Sequence, residues 1–245
     1  MNFLENFCRR GIHSKRHVVL LDFSDTGLPT VIHNRGWGSL CGIPVTCPSV
    51  IIQEFYFNMH KIDTSVPHCF SRVRDMCIIV TPEIVSEVLH APRVAHLDYS
   101  SYECLRTVSK DELSSCFYET PLSWGNRQNN PCSGFAKGPR FLNIVMTFVL
   151  HPLFHYNSIT KSRARFLLSS LEDIFIDFPS HFILSLIDVY RDTTNRDKLI
   201  FLSVIMQILH HFSVPFPVSP HFSVMGAIDA AIIRRSKAHL RMWQP

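Results

Sequence analysis

The sequence predicts an α+β protein that is predominantly α-helical. Its N-terminal part should hold a short β-hairpin with helices, and its C-terminal part a multi-helix bundle. Three observations carry this. The stretch from Arg140 to Val214 is apolar, glycine-poor and broken only where helices would end. Around Phe70–Val80 the pattern changes to short β-type runs on either side of Asp75. Nineteen Phe against nine Gly suit an aromatic-packed helical interior better than a turn-rich β protein. With 245 residues, 46% hydrophobic and 18% charged, the chain can bury a core as one large domain or two small ones.

Residues 1–30 read as a basic N-terminal extension with an apolar run at Val18–Leu21 and a break at Thr26-Gly27-Leu28-Pro29. Residues 31–119 read as a mixed α+β subdomain. The run from Val31 to Gly38 predicts a loop anchored by a buried Trp37. A helix should start at Pro48, with Ile51, Ile52, Phe55, Tyr56 and Met59 on one face. The hairpin follows, then Thr81-Pro82-Glu83 opens a helix with a cap, a first-turn proline and an acid. Ile84, Val85, Val88 and Leu89 form its stripe, and Pro92 ends it. Ser109-Lys110-Asp111-Glu112 has capping-box spacing before Leu113, Cys116 and Phe117.

Composition then shifts. Residues 120–139 hold Pro121, Gly125, Gly134 and Gly138 and read as a linker loop between subdomains. Residues 140–222 predict a helical bundle: Arg140–Leu150 stopped by Pro152, a helix after Thr160 reaching Ile174, one from Ser180 to Tyr190, and one over Asp197–Phe212. Residues 223–245 form a basic amphipathic C-terminal segment with Val224, Ile228 and Ile232 on one side.

The net charge of +4 is concentrated at the ends. Arg9, Arg10, Lys15 and Arg16 face only Glu5 in the first twenty residues, and Arg234, Arg235, Lys237 and Arg241 face only Asp229 in the last twenty. The body between them is slightly acidic. Basic ends attract phosphate backbones without reading sequence; solvated termini kept basic for solubility are the plainer alternative. Eight cysteines include no C-x-x-C pair and follow no secretory leader, which favours reduced thiols in an intracellular protein, with the nucleus as a compatible compartment. Phe141–Thr160 lacks charge but contains Asn143, His151, Pro152, His155 and Asn157, so it reads as a core helix and no membrane partner is expected.

Known chemistry finds no complete motif. Asp25-Thr26-Gly27 matches the aspartic-protease tripeptide but lacks a second loop and a β-rich frame, so it reads as a turn. Gly36-Trp37-Gly38-Ser39-Leu40-Cys41-Gly42 misses the dinucleotide fingerprint. His151 and His155 have metal-ligand spacing but enclose Pro152 and no glutamate, and Cys8, His13 and His17 lack a fourth ligand. Glu172, Asp173, Asp177 and Asp188 are scattered along helices rather than clustered for two metal ions. No catalytic, cofactor or metal site is predicted.

Taken in order, Arg35-Gly36-Trp37, Glu54-Phe55-Tyr56 with Asn58, Val73-Arg74 leading to Ile79-Val80-Thr81-Pro82, Val88-Leu89, and Arg163-Ala164-Arg165-Phe166-Leu167-Leu168 form a pattern. On it, roughly residues 30–230 resemble the plant transposon protein domain family, abundant in plant transposable elements. The resemblance implies origin and brings no catalytic residues with it. Where members tend to have glycine after Val-Arg, this chain has Asp75, which puts the hairpin turn in question. Three expectations follow, the first two being a non-catalytic, element-derived protein binding nucleic acid through its basic ends, and an interaction module meeting element-encoded proteins or a second copy of itself. A decayed element product without activity is the third.

Overall fold

The computed structural model describes residues 7–8, 10–44, 48–94, 103–120, 122–152, 157–172, 174–192, 198–215, 226–232 and 234. A 3-10 segment, Leu20–Thr26, leads into α1 (Leu28–Asn34), α2 (Gly38–Cys41) and α3 (Ser49–Phe57). Then come β1 (His60–Asp63), β2 (His68–Val73), β3 (Met76–Val80) and α4 (Pro82–Leu89). After α5 (Glu103–Arg106) and α6 (Lys110–Phe117), β4 (Asn129–Pro131) precedes α7 (Lys137–Val145) and a π-helical turn, Met146–Leu150. The chain continues through β5 (Ser158–Thr160), α8 (Lys161–Leu171), α9 (Phe178–Arg191) and α10 (Leu202–His211). This is the mostly helical α+β fold that the sequence predicts.

Start and stop signals act where they were read. The Thr81 hydroxyl accepts from the Ile84 amide, and Pro82 occupies the first turn of α4. Ser109 and Glu112 form a complete capping box on α6. Thr160 caps α8 through the Arg163 amide. Several boundaries differ. Residues 28–34 are helical, not looped: Gly27, with φ of 72°, breaks the 3-10 segment, and Pro29 falls in the first turn of the new helix. The helix expected to end at Leu150 widens into π geometry over its last five residues. Ile174 lies beyond α8, and α10 begins at Leu202 because Phe201 takes a left-handed conformation (φ 56°). The predicted start at Asp197, like Val224 and His155, lies outside the described residues.

β1, β2 and β3 form an antiparallel sheet in that order, one strand more than the expected hairpin. Cys69 and Val73 of β2 and Ile78 and Val80 of β3 are buried, while His68, Phe70, Arg72, Cys77 and Ile79 alternate towards the other face. The β2–β3 turn is two residues long, and both Arg74 (φ 49°) and Asp75 (φ 64°) are left-handed. That is the twist-compatible hairpin turn, and Asp is among the few non-glycine residues that enter it readily.

The segment read as a linker carries β4, which pairs antiparallel with β5, and it buries Trp124, Cys132 and Phe135. Those side chains join one core with residues from both flanking regions, including Trp37, Tyr56, Phe166, Phe178 and Ile205. The described residues from Phe7 onward are also built in. Ile12 bridges Leu199 and Val18 bridges Ile228, both in parallel, and Phe7, Val18 and Phe23 are buried.

Candidate nucleic-acid interface

The motifs behind the resemblance meet in space and hold the fold together. Arg35 is buried between α1 and α8, where its guanidinium donates to the carbonyls of Ser169 (2.5 Å) and Ile174 (2.7 Å) and lies over the Trp37 ring. It satisfies the end of α8 with a cation, the sign that a helix C-terminus prefers. Gly36 is left-handed, and a Cβ there would stand 2.6 Å from Pro92 Cδ. Trp37 stacks on Phe166. Arg163 of α8 ties down the π turn, donating to the His151 carbonyl (2.8 Å) and the Thr147 hydroxyl (2.7 Å). Across the sheet, the Glu54 carboxylate accepts the Arg74 amide (2.7 Å), and Asn58 donates to the Arg72 carbonyl (2.6 Å). These are structural duties.

The terminal cations have diverse placements. Arg10 is buried, donates to the Val189 carbonyl (2.9 Å) and faces Asp192 at 3.7 Å. Lys15 is buried as well, and desolvation lowers its ammonium to about 8, with Cys41 as an opposing influence. Arg16 donates to the carbonyls of Gly226 (2.6 Å) and Ala227 (2.7 Å) and lies over Phe148. Arg234 is exposed. Arg9, Arg235, Lys237 and Arg241 fall outside the described residues.

Another cationic cluster forms where α6 packs on α8. Lys110 Nζ donates to the Arg127 carbonyl (2.6 Å), and Arg165 donates to the Arg106 carbonyl (2.8 Å). Lys161 lies one turn before Arg165, close enough for its charge to reach Glu112. The described carboxylates beside these five cations are already engaged. Asp111 accepts the Trp124 amide (2.7 Å), and Glu112 accepts the Ser109 amide (2.7 Å). That amide bond is the main reason Glu112 sits below the usual carboxylate range, with the Ser109 side chain and Lys161 adding to it. None of the five cations makes an ion pair with a described carboxylate. Exposed amide side chains at Asn126, Gln128 and Asn129 border them. The patch can attract phosphate oxygens and hydrogen-bond to them. Reading along the chain missed it because the five residues span 60 positions; the one local signal is Lys161 and Arg165, like charges four apart on one helix face.

Asp25 is exposed and bound by Lys137. His151 Nδ1 lies 3.1 Å from His181 Nε2, with burial holding His151 well below the ordinary imidazole range and His181 and Arg163 pushing the same way. Asp177 is buried between Ser180 (2.5 Å) and Arg93 (3.3 Å). Among the described residues no group of three or more His, Cys, Asp or Glu is arranged to hold a metal ion, and no helix is long and apolar enough to cross a membrane.

A family model described as "Putative plant retrotransposon-related domain" matches residues 33–215. The chain belongs to this family. No curated protein and no solved structure matches the chain. The matched span of the retrotransposon-related domain contains Arg106, Lys110, Arg127, Lys161 and Arg165. All eight terminal cations fall outside it.

Proposed function

We propose that this retrotransposon-related protein binds nucleic acid without catalysing a reaction on it, and that the α6–α8 cationic patch makes the phosphate contact. The observation that carries this reading is the ionic imbalance of the patch: five cations have no ion-pair partner among the described residues, while Asp111 and Glu112 beside them accept backbone amides. Such an arrangement gains from counterion release when it meets a polyanion. Arg234, with Arg235, Lys237 and Arg241 next in sequence, adds a second region of anion attraction. Arg10, Lys15 and Arg16 contribute chiefly by holding the N-terminal segment in place.

Fluorescence anisotropy with duplex and single-stranded DNA and RNA tests the reading. Five phosphate contacts predict that log K falls with log salt at a slope of about −4.5 on duplex, somewhat shallower on single strands. The double variant Arg127→Gln/Lys161→Gln should lower the slope by about 2 and weaken binding at least about tenfold at low salt. Absence of binding by folded protein at low salt would overturn the reading. Retained binding and slope in the double variant would move the contact off the patch.

A further inference from the structure

The strand β3 is an open edge of its sheet. β2 pairs with one side of it, and among the described residues nothing pairs with the other. The two-residue turn fixes which peptide groups face outward. In a hairpin closed this way, Val73/Met76, Ser71/Ile78 and Cys69/Val80 exchange the ladder bonds, so the N–H and C=O of Cys77 and Ile79 point away from β2. The opposite side of β2 agrees: the Arg72 carbonyl, across from Cys77, is turned off the β3 ladder and taken by Asn58. Soluble proteins usually defend such an edge with Lys, Pro, a bulge or a charge. β3 reads Met-Cys-Ile-Ile-Val in unbroken register with β2 and carries none of these devices. Cys77 is exposed, and Met76 is 36% exposed.

We infer that β3 pairs antiparallel with β3 of a second copy of this chain, about a two-fold axis at Ile78, and joins the two sheets into one of six strands. Two features select this occupant. The edge is self-complementary in register: with Ile78 on the axis, Cys77 of one protomer stands opposite Ile79 of the partner subunit, and both residues offer their outward peptide groups. This gives four main-chain hydrogen bonds with no like charges across the seam. The ends of the seam are also complementary in charge. The same register brings Asp75, whose side chain is 94% exposed, beside Thr81 of the partner subunit, at the end of the strand where the exposed Glu83 and Arg93 meet. Asp75 gives Arg93 of the partner subunit a further carboxylate, and Arg74 approaches Glu83 of the partner subunit.

The seam places a native thiol opposite a replaceable residue, which supplies the test. In the full-length Ile79→Cys variant, mild oxidation with diamide should yield a covalent dimer whose disulfide joins position 79 to the partner subunit's Cys77, mapped by peptide mass spectrometry. An antiparallel hydrogen-bonded pair brings the two Cα atoms to about 5.5 Å, within disulfide reach. Adding Cys77→Ser should abolish this link. Sedimentation velocity on the unmodified chain should show a dimer that grows with concentration. Cys77→Pro, which removes an outward donor and spares the β2 ladder, should shift the dimer to monomer with an unchanged far-ultraviolet circular dichroism spectrum. A chain that stays monomeric at every concentration overturns the inference. So does a dimer that gives no 77–79 disulfide in Ile79→Cys, a variant that leaves the rest of the edge intact.

Discussion

Arg35 donates to two carbonyls that would otherwise end α8 and its following turn without a partner, and its charge is already balanced there by the helix terminus. Arg35→Ala should therefore cost about 3 kcal/mol in chemical denaturation, since it leaves buried acceptors unmet and uncovers Trp37. Arg35→Lys should recover only part of that loss, because an ammonium cannot span both carbonyls as the guanidinium fork does. Asp75 gives the opposite expectation. Within the protomer it pays for a left-handed backbone with little return, since its ion pair to Arg72 is solvent-exposed. Asp75→Gly should stabilise the hairpin by about 1 kcal/mol, read as a raised melting temperature. His151 sets a pH dependence. The folded protein resists a proton at this site that the unfolded chain accepts below about 6.5, so the contribution is intact above that pH and declines as the pH falls beneath it. Urea midpoints taken on the two sides of 6.5 should show the decline, and His151→Gln should flatten it.

At the scale of elements, α6 depends on its first turn for two purposes. The capping box holds the helix start, and it also ties the Glu112 carboxylate to the Ser109 amide, while Lys110 and Lys161 make no ion pair with a described carboxylate. Ser109→Ala should cost about 1 kcal/mol in stability, because the Glu112 amide loses its acceptor, while the Ser109 amide still holds the Glu112 carboxylate and affinity for polyanions should stay unchanged. These element starts were legible because caps, first-turn prolines and apolar stripes are local properties of a few consecutive residues. β1, β4 and β5 were not. Each is three or four residues long; β4 and β5 owe their strand form to partners distant in sequence, as Asn130 does to Ile159, and β1 pairs with the adjacent β2 in an irregular register that no simple alternation announces. The candidate site was hidden for a related reason, since Lys110 meets Arg127 and Arg165 meets Arg106 only in the folded chain, where α6 docks on α8. The terminal cations drew attention through their density along the chain, a quantity that carries no information about burial. Arg10 lies inside because α9 accepts its guanidinium at the Val189 carbonyl, and Lys15 is buried beside Cys41.

For the whole molecule, the outer segments belong to the core. Deleting residues 1–19 would remove the buried Phe7 and Val18, the Arg10 bond to α9 and the strand-like bridges to Leu199 and Ile228. The shortened chain should lose several kcal/mol, about 1.5 to 3 for each large apolar side chain no longer buried, and should expose apolar surface detectable by dye binding. A truncation that abolishes polyanion binding is therefore informative only when near-ultraviolet circular dichroism shows intact packing. The patch variants, which alter exposed or half-exposed side chains, avoid that ambiguity.

Val18 lies beside Ile228, and Arg16 grips the carbonyls of Gly226 and Ala227. A ribosome making 5 to 20 residues per second needs roughly 10 to 40 s to travel from the first of these positions to the last. Through that interval the N-terminal segment has been made while its final neighbour has not. This part of the fold thus closes only after residue 228 has been made, and a chain that stops short of it leaves Val18 and Arg16 without these neighbours.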